Sequence, residues 1–212
     1  MRILFTAALT AIAGCSSSSS AFLQTLKQYT SRDTRSADSF ATDPRYRYLR
    51  VTHEGGVSIV VLGALENGPR GQVEVYYSAD GALLRLQNGR LVGSTGLLPE
   101  WRSVNLPELP SWSALAAEGK PLQWERVRDV MPGYRYGIRD KLTLSPAPAP
   151  RSSGLIGVDP QKLAWFEERT EASSDERLPL ARYATQGETV VYGEQCVSAR
   201  NCLKWQRWPA GS

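Results

Sequence analysis

The sequence predicts a mainly β protein, built as an antiparallel sandwich or a full or half barrel, behind a short N-terminal helix. Short apolar runs recur along the chain with Gly, Pro and Asn between them, the punctuation of consecutive strands. The spacing between those runs is too short for the helices that parallel βαβ units need. Asn88-Gly89 also sits between two alternating segments, and that dipeptide readily takes the two positive φ angles of a tight hairpin turn.

The chain opens with Arg2 and an apolar stretch from Ile3 to Ala13. That stretch is far shorter than the ~20 residues a membrane-spanning helix requires, and small residues flank its end, so residues 1–14 read as a cleaved signal peptide. Leu9-Thr10-Ala11-Ile12-Ala13-Gly14-Cys15 resembles the lipobox of bacterial lipoproteins. The resemblance implies a diacylglycerol on the Cys15 thiol, the most nucleophilic side chain for such an alkylation, and an acylated amine after cleavage. Each buried methylene contributes about 0.8 kcal/mol, and two or more chains hold a protein firmly on a bilayer. Ser16 stands where an aspartate would signal inner-membrane retention, so the pattern implies anchoring at the periplasmic face of the outer membrane.

Cys15 and the serines Ser16 to Ser20 form an expected lipid-anchored tether over 15–21, and residues 22–212 an expected single periplasmic domain. Phe22, Leu23, Leu26 and Tyr29 fall at helical spacing. Strand signals begin at Tyr46. Val57 to Leu62 is an apolar run, and Val73, Val75 and Tyr77 alternate with Glu74 and Tyr76. After Asp80-Gly81, Leu84 and Leu86 alternate with Arg85 and Gln87 up to the Asn88-Gly89 turn, and Leu91-Val92 returns. Leu122 to Val127, Tyr134 to Ile138, Lys141 to Leu144, Leu163 to Phe166 and Thr189 to Tyr192 are further strands. Ser145 to Pro150 carries alternating prolines, which favour extended polyproline geometry and predict a surface excursion near 145–150.

The formal charge of +4 comes from 25 basic and 21 acidic residues scattered without a dense block. Nucleic acid is therefore a poor partner. With Cys15 assigned to lipid, Cys196 and Cys202 remain as a pair in a chain bound for an oxidising compartment, and a disulfide between them is expected. No cofactor or metal is expected, because the chain has one histidine, His53, beside Glu54-Gly55-Gly56 at a predicted exposed turn. Gly-x-Ser-x-Gly, His-Glu-x-x-His and phosphate-loop patterns are absent. Glu167 and Glu168 are adjacent on a strand and so point to opposite faces, which suits solvation better than paired-carboxylate catalysis. Of the aromatics, Trp101, Trp112, Trp124 and Trp165 suit the core. Trp205 and Trp208 lie in a basic tail and are the expected surface pair for a ligand or partner.

Tyr48-Leu49-Arg50, Ile59 to Gly63, Tyr77-Ser78-Ala79-Asp80-Gly81, Leu86 to Val92 and Thr95-Gly96-Leu97 together resemble the YjbF/GfcB family of lipoproteins. The shared order is an apolar strand, an aromatic-x-Ser-x-Asp-Gly turn, a hairpin with Asn-Gly-Arg and a Thr-Gly-Leu exit. The resemblance implies a mainly β lipoprotein that serves exopolysaccharide or group 4 capsule assembly or export; the leading reading is a non-enzymatic accessory that binds the polysaccharide itself or an export protein. The alternatives are a polysaccharide-modifying enzyme and a lipid or lipoprotein carrier with an apolar cavity. Asp80 and Arg90 bracket the hairpin as candidate contacts that could pair across it or serve only the turn. No catalytic residue is carried over.

Overall fold

The computed structural model describes residues 37–210; the predicted signal peptide, Cys15, the serine tether and the helix over Phe22 to Tyr29 lie outside them. Twelve strands follow in chain order: β1 Tyr48–His53, β2 Gly56–Gly68, β3 Gly71–Tyr77, β4 Leu83–Gln87, β5 Arg90–Thr95, β6 Glu100–Asn105, β7 Leu122–Met131, β8 Arg135–Ala147, β9 Ala164–Ser173, β10 Ala181–Gln186, β11 Thr189–Cys196 and β12 Cys202–Trp208. One helix, α1 (Trp112–Glu118), lies between β6 and β7.

All twelve belong to one antiparallel sheet of order β5-β4-β3-β2-β1-β12-β11-β10-β9-β8-β7-β6. Every pair is a chain neighbour except β1 with β12, where Tyr48 faces Trp208 and His53 faces Leu203. Two runs of hairpins are thus joined by their first and last strands, and the sheet curls until its edges meet. The result is a nearly closed barrel with its seam between β5 and β6. At the seam the Trp101 N–H donates to Ser94 Oγ at 3.1 Å, and the Leu91 N–H donates across the interior to Gln195 Oε1 at 3.2 Å. Side chains therefore satisfy edge donors that a ladder would otherwise take.

The β4–β5 turn has the predicted geometry, with φ of 48° at Asn88 and 73° at Gly89. Glycine is also required there by space, since a Cβ on Gly89 would lie 2.3 Å from Val190 of β11. α1 closes this end of the barrel. Ser111 caps it, and Glu188 from the β10–β11 turn accepts the Trp112 and Ser113 N–H groups at 2.9 and 3.2 Å. An acid from another hairpin thereby supplies the negative charge that α1 lacks in its own first turn.

The Pro-rich stretch departs from expectation. Ser145, Pro146 and Ala147 belong to β8 and face Glu167, Phe166 and Trp165 of β9. β7 begins at Leu122, opposite Leu144, so Pro146 lies beyond the reach of that neighbour. Its missing N–H breaks no ladder there. The excursion runs instead over 148–163 and folds back on the outer face. Gln206 holds both backbone groups of Ile156, at 3.0 and 2.7 Å, and Trp165 Nε1 donates to the Pro160 carbonyl at 2.8 Å. This cover explains a correction: Trp208, expected at the surface, is buried in an outer cluster with Tyr48, Ile59 and Val61. Trp205, the other expected surface residue, is 1% exposed in the main core, its ring laid where a Cβ on Gly193 would sit. All six tryptophans are buried.

β8 is one strand of 13 residues where two were expected, and β6, β10 and β12 were not anticipated as strands. β12 reads as a basic tail because Lys204 and Arg207 dominate it. Its alternation is nevertheless real: Leu203 and Trp205 enter the main core, while Trp208 joins the outer cluster.

Candidate functional site

Along β7, Trp124, Arg126, Arg128 and Val130 are buried and the residues between them are less so. The period of two therefore sends two arginines inward between apolar neighbours. β8 does the same with Asp140, between Ile138 and Leu142, and β9 with Glu168, between Phe166 and Thr170. A charged cluster results inside a mainly apolar barrel.

Asp140 is its hub. Arg126 Nε and Arg128 Nε both donate to Asp140 Oδ2, at 2.7 and 2.8 Å, Arg128 Nη2 donates to Oδ1 at 3.3 Å, and Ser173 Oγ donates to Oδ1 at 2.6 Å. Burial pushes the Asp140 carboxyl up, but the Arg128 hydrogen bonds, the Arg126 charge and Ser173 outweigh it, and the net shift is below the ordinary aspartate range. The Trp101 ring lies against both guanidinium groups, with centroid distances of 4.7 and 5.2 Å. Trp101 itself is held by its Nε1, which donates to the Val197 carbonyl at 2.9 Å.

Glu168 behaves oppositely. Its burial pushes the carboxyl up, and Arg126, 3.8 Å away, and Arg90 only partly offset that push. The expectation that Glu167 and Glu168 are both solvated is corrected: Glu167 pairs outside with Arg182 at 3.0 Å, while Glu168 is 2% exposed within. The opposite-face argument holds, but the second face is the barrel interior.

Arg90 is the third buried arginine, 3% exposed. Its guanidinium lies 3.9 Å from the Trp112 ring centre and 5.7 Å from that of Tyr183. Burial lowers its pKa, with Glu168 opposing the change. Neither Nε nor Nη2 has a hydrogen-bond partner, and Glu168 Oε2 and Trp124 Nε1 are likewise buried and unpartnered. Arg90 also lines a cleft of about 640 Å³ at the α1 end, with Arg70, Gln87, Asn88 and Glu108 among its walls.

Asp80 is placed elsewhere. It precedes β4 and Arg90 follows it, so a strand's length separates them and the cross-hairpin pair does not form. Asp80 instead serves its own turn, accepting from the Ser78 hydroxyl and, at 3.4 Å, from the Ala82 N–H. A second hollow at that end is lined by Asp80, Ser78 and His53. His53 is not the free turn residue expected: it ends β1, with Nε2 2.5 Å from Asn201 Oδ1. Cys196 and Cys202 face each other across β11 and β12, with their sulfurs 1.98 Å apart. Among the described residues, no group of three or more His, Cys, Asp or Glu side chains is arranged to hold a metal ion.

Arg126, Arg128 and Asp140 were missed and Glu168 was set aside as solvated, yet all four shared one signal: each has the strand parity of large apolar neighbours.

Fold and interior define a mainly β protein, a nearly closed antiparallel barrel filled by aromatic side chains and a buried arginine–carboxylate cluster. The chain belongs to the family described as group 4 capsule polysaccharide lipoprotein, gfcB, YjbF, whose model matches residues 24–200. It is therefore a capsule- or exopolysaccharide-associated lipoprotein by family. The hypothetical lipoprotein YmcC from Escherichia coli (K12) has the same fold in its crystal structure, with a TM-score of 0.61 and 17% identity over 80% of this chain and 90% of that one. No curated protein matches the chain.

Proposed function

We propose that the protein is a non-enzymatic accessory of exopolysaccharide or capsule assembly or export, working by binding. Cys15 carries the lipid that holds it to the periplasmic face of the outer membrane, Ser16 to Ser20 tether it, and residues 22–212 form the working domain without a cofactor. The observation that carries the binding reading is the cleft at the α1 end, whose wall combines Arg70, Gln87, Asn88 and Glu108 with the apolar Leu106, Pro107 and Leu109. Asp140, bound by two arginines and a serine, is committed to structure, which weighs against a pair of catalytic carboxylates. Trp101, Trp205, Tyr76 and Phe166 pack the interior, which weighs against an apolar carrier cavity.

The test is polysaccharide output and linkage composition in a deletion strain complemented by wild type or Cys15→Ala. Lost secretion with unchanged sugar chemistry, restored only by the acylated form, supports the accessory. A secreted polymer of altered structure points to a modifying enzyme, and unchanged output overturns the assignment. Mass spectrometry of the mature N-terminus reads the lipid directly.

A further inference from the structure

The end of the barrel opposite α1 gathers three turns. His53 faces Gly56 across β1 and β2, and Leu83 faces Thr95 across β4 and β5, so the β1–β2, β3–β4 and β5–β6 turns lie together there. They bound the hollow of about 280 Å³ that His53, Ser78 and Asp80 line. Its floor is apolar, with Val60 and Leu84 buried and Leu97 half-buried. Its rim is open to solvent: Asp80 is exposed, and His53, Ser58 and Ser78 are half-buried. Asp80 Oδ1 serves the turn, accepting from Ser78 and Ala82, which leaves Oδ2 for another donor. Asn201 Nδ2 donates to the Leu98 carbonyl at 2.6 Å, so Asn201 Oδ1 is an acceptor and the proton between it and His53 belongs to Nε2. The neutral His53 ring then has Nδ1 as an acceptor. Among the described residues of the lining there is no lysine or arginine, and Asp80 is the one acid.

We propose that this end binds a neutral glycan, with one sugar unit in the hollow and adjoining units across Tyr134 and Tyr136. This gives the binding role proposed above a ligand class and a second site, and rests on that role. An acceptor-rich rim without a cation suits hydroxyl donors, and the Asp80 charge repels a carboxylate. The volume is close to the lower bound of small-ligand sites, room for one ring whose C–H face meets the apolar floor. Glu100 faces Met131 across β6 and β7, so the turn bearing Leu98 neighbours the β7–β8 turn. Leu98, Tyr134 and Tyr136 are 66%, 71% and 65% exposed, more than any other large hydrophobic residue described. The two tyrosine rings lie 6.5 Å apart and offer flat faces on which sugar rings can stack. Their hairpin is held firmly: Arg135 Nη1, between them in sequence, donates to both oxygens of Asp175 at 2.6 and 2.7 Å, and the Gly137 N–H donates to Asp129 Oδ1 at 2.9 Å. Tyr134 has a φ of 52°, a region costly for a bulky residue, and such outliers cluster at ligand sites.

The experiment titrates the full-length protein, in a detergent without a sugar headgroup, with maltotriose, cellotriose, trigalactose and trigalacturonate by isothermal calorimetry. At least one of the three neutral sugars should bind about tenfold more tightly than trigalacturonate. Asp80→Asn keeps the Oδ1 acceptor of the turn but removes the charge, and should weaken that binding by about tenfold. Ser58→Ala leaves the turn untouched and keeps the test valid if Asp80 variants do not fold; it should weaken binding by about threefold. Tyr134→Ala and Tyr136→Ala should each weaken it by about threefold, while Tyr46→Ala, ahead of β1, should not. Trigalacturonate binding as tight as the best neutral sugar overturns the proposal, as does no binding of any neutral sugar. Unaltered affinity in the Asp80 and Ser58 variants, or in both tyrosine variants, overturns it too. Binding lost in Arg70→Gln but kept in Asp80→Asn puts the glycan in the α1-end cleft and overturns this site alone. Failure here with lost secretion in the deletion strain sinks this site and leaves the accessory role standing. Unchanged secretion with retained neutral-glycan binding does the reverse.

Discussion

Arg128 grips Asp140 through two nitrogens at 2.8 and 3.3 Å in the barrel interior, where neither side chain is exposed to solvent. A buried ion pair contributes little net stability relative to an apolar replacement, because desolvation offsets the attraction. Breaking it is another matter. Asp140→Asn leaves Arg126 and Arg128 without their shared counter-charge and should cost about 3–5 kcal/mol, read as a lowered midpoint in urea unfolding. The folded carboxyl titrates below its ordinary value, so its stabilisation is present above that value and is lost as pH falls through the folded pKa. A wild-type unfolding series should show that acid limb, and it should be shallower in Asp140→Asn, where the lowered carboxyls of Asp43 and Glu188 remain.

Glu168 has the opposite sign. Its folded carboxyl titrates above the ordinary 4.5, chiefly because it is buried. The folded chain then binds a proton that the unfolded chain has released, so stability falls as pH rises from about 4.5 through the folded pKa. Glu168→Gln removes that titration. The slope of unfolding free energy against pH in this window should be flatter in the variant, and an unchanged slope would refute the assignment of a raised Glu168 pKa.

Gly89 is required twice over, by its positive φ and by contact with Val190. Gly89→Ala should destabilise by about 1–3 kcal/mol through overpacking and strain. Val190→Ala in the same chain makes room. The double variant should therefore lose less than the sum of the two single losses, and strict additivity in thermal unfolding would show that the two residues do not touch.

Burial of all six tryptophans makes a spectroscopic prediction. Native emission should be blue-shifted and resist acrylamide quenching, with both properties lost in denaturant. Trp205→Ala should cost about 3–5 kcal/mol, the loss expected for a large core aromatic. A strongly quenched native signal would instead restore Trp205 and Trp208 to the surface.

Local chemistry was legible without coordinates. Asn88-Gly89 specifies its turn because few dipeptides tolerate two positive φ angles, and the alternation around Val73 and Leu84 specifies strands because the side-chain period is two. Mainly β architecture and family followed from such elements. The expected serine tether and the expected lipidation at Cys15 rest on local pattern alone.

What tertiary structure decided was which face of each strand points where. A period of two separates Glu167 from Glu168 but does not say that one of the two faces is a barrel interior. Arg126, Arg128 and Asp140 look like solvated charges until the curl of the sheet brings β7 and β8 around an enclosed space, where each charge must find a partner. Trp208 was hidden by residues distant in the chain, through the Gln206 clasp on Ile156. Arg90 was named from its place beside the turn, yet its donors are unpaired only because β5 carries it inside against Trp112. Strand identity is local and can be read residue by residue, whereas burial of a charge is set by the closure of the whole sheet.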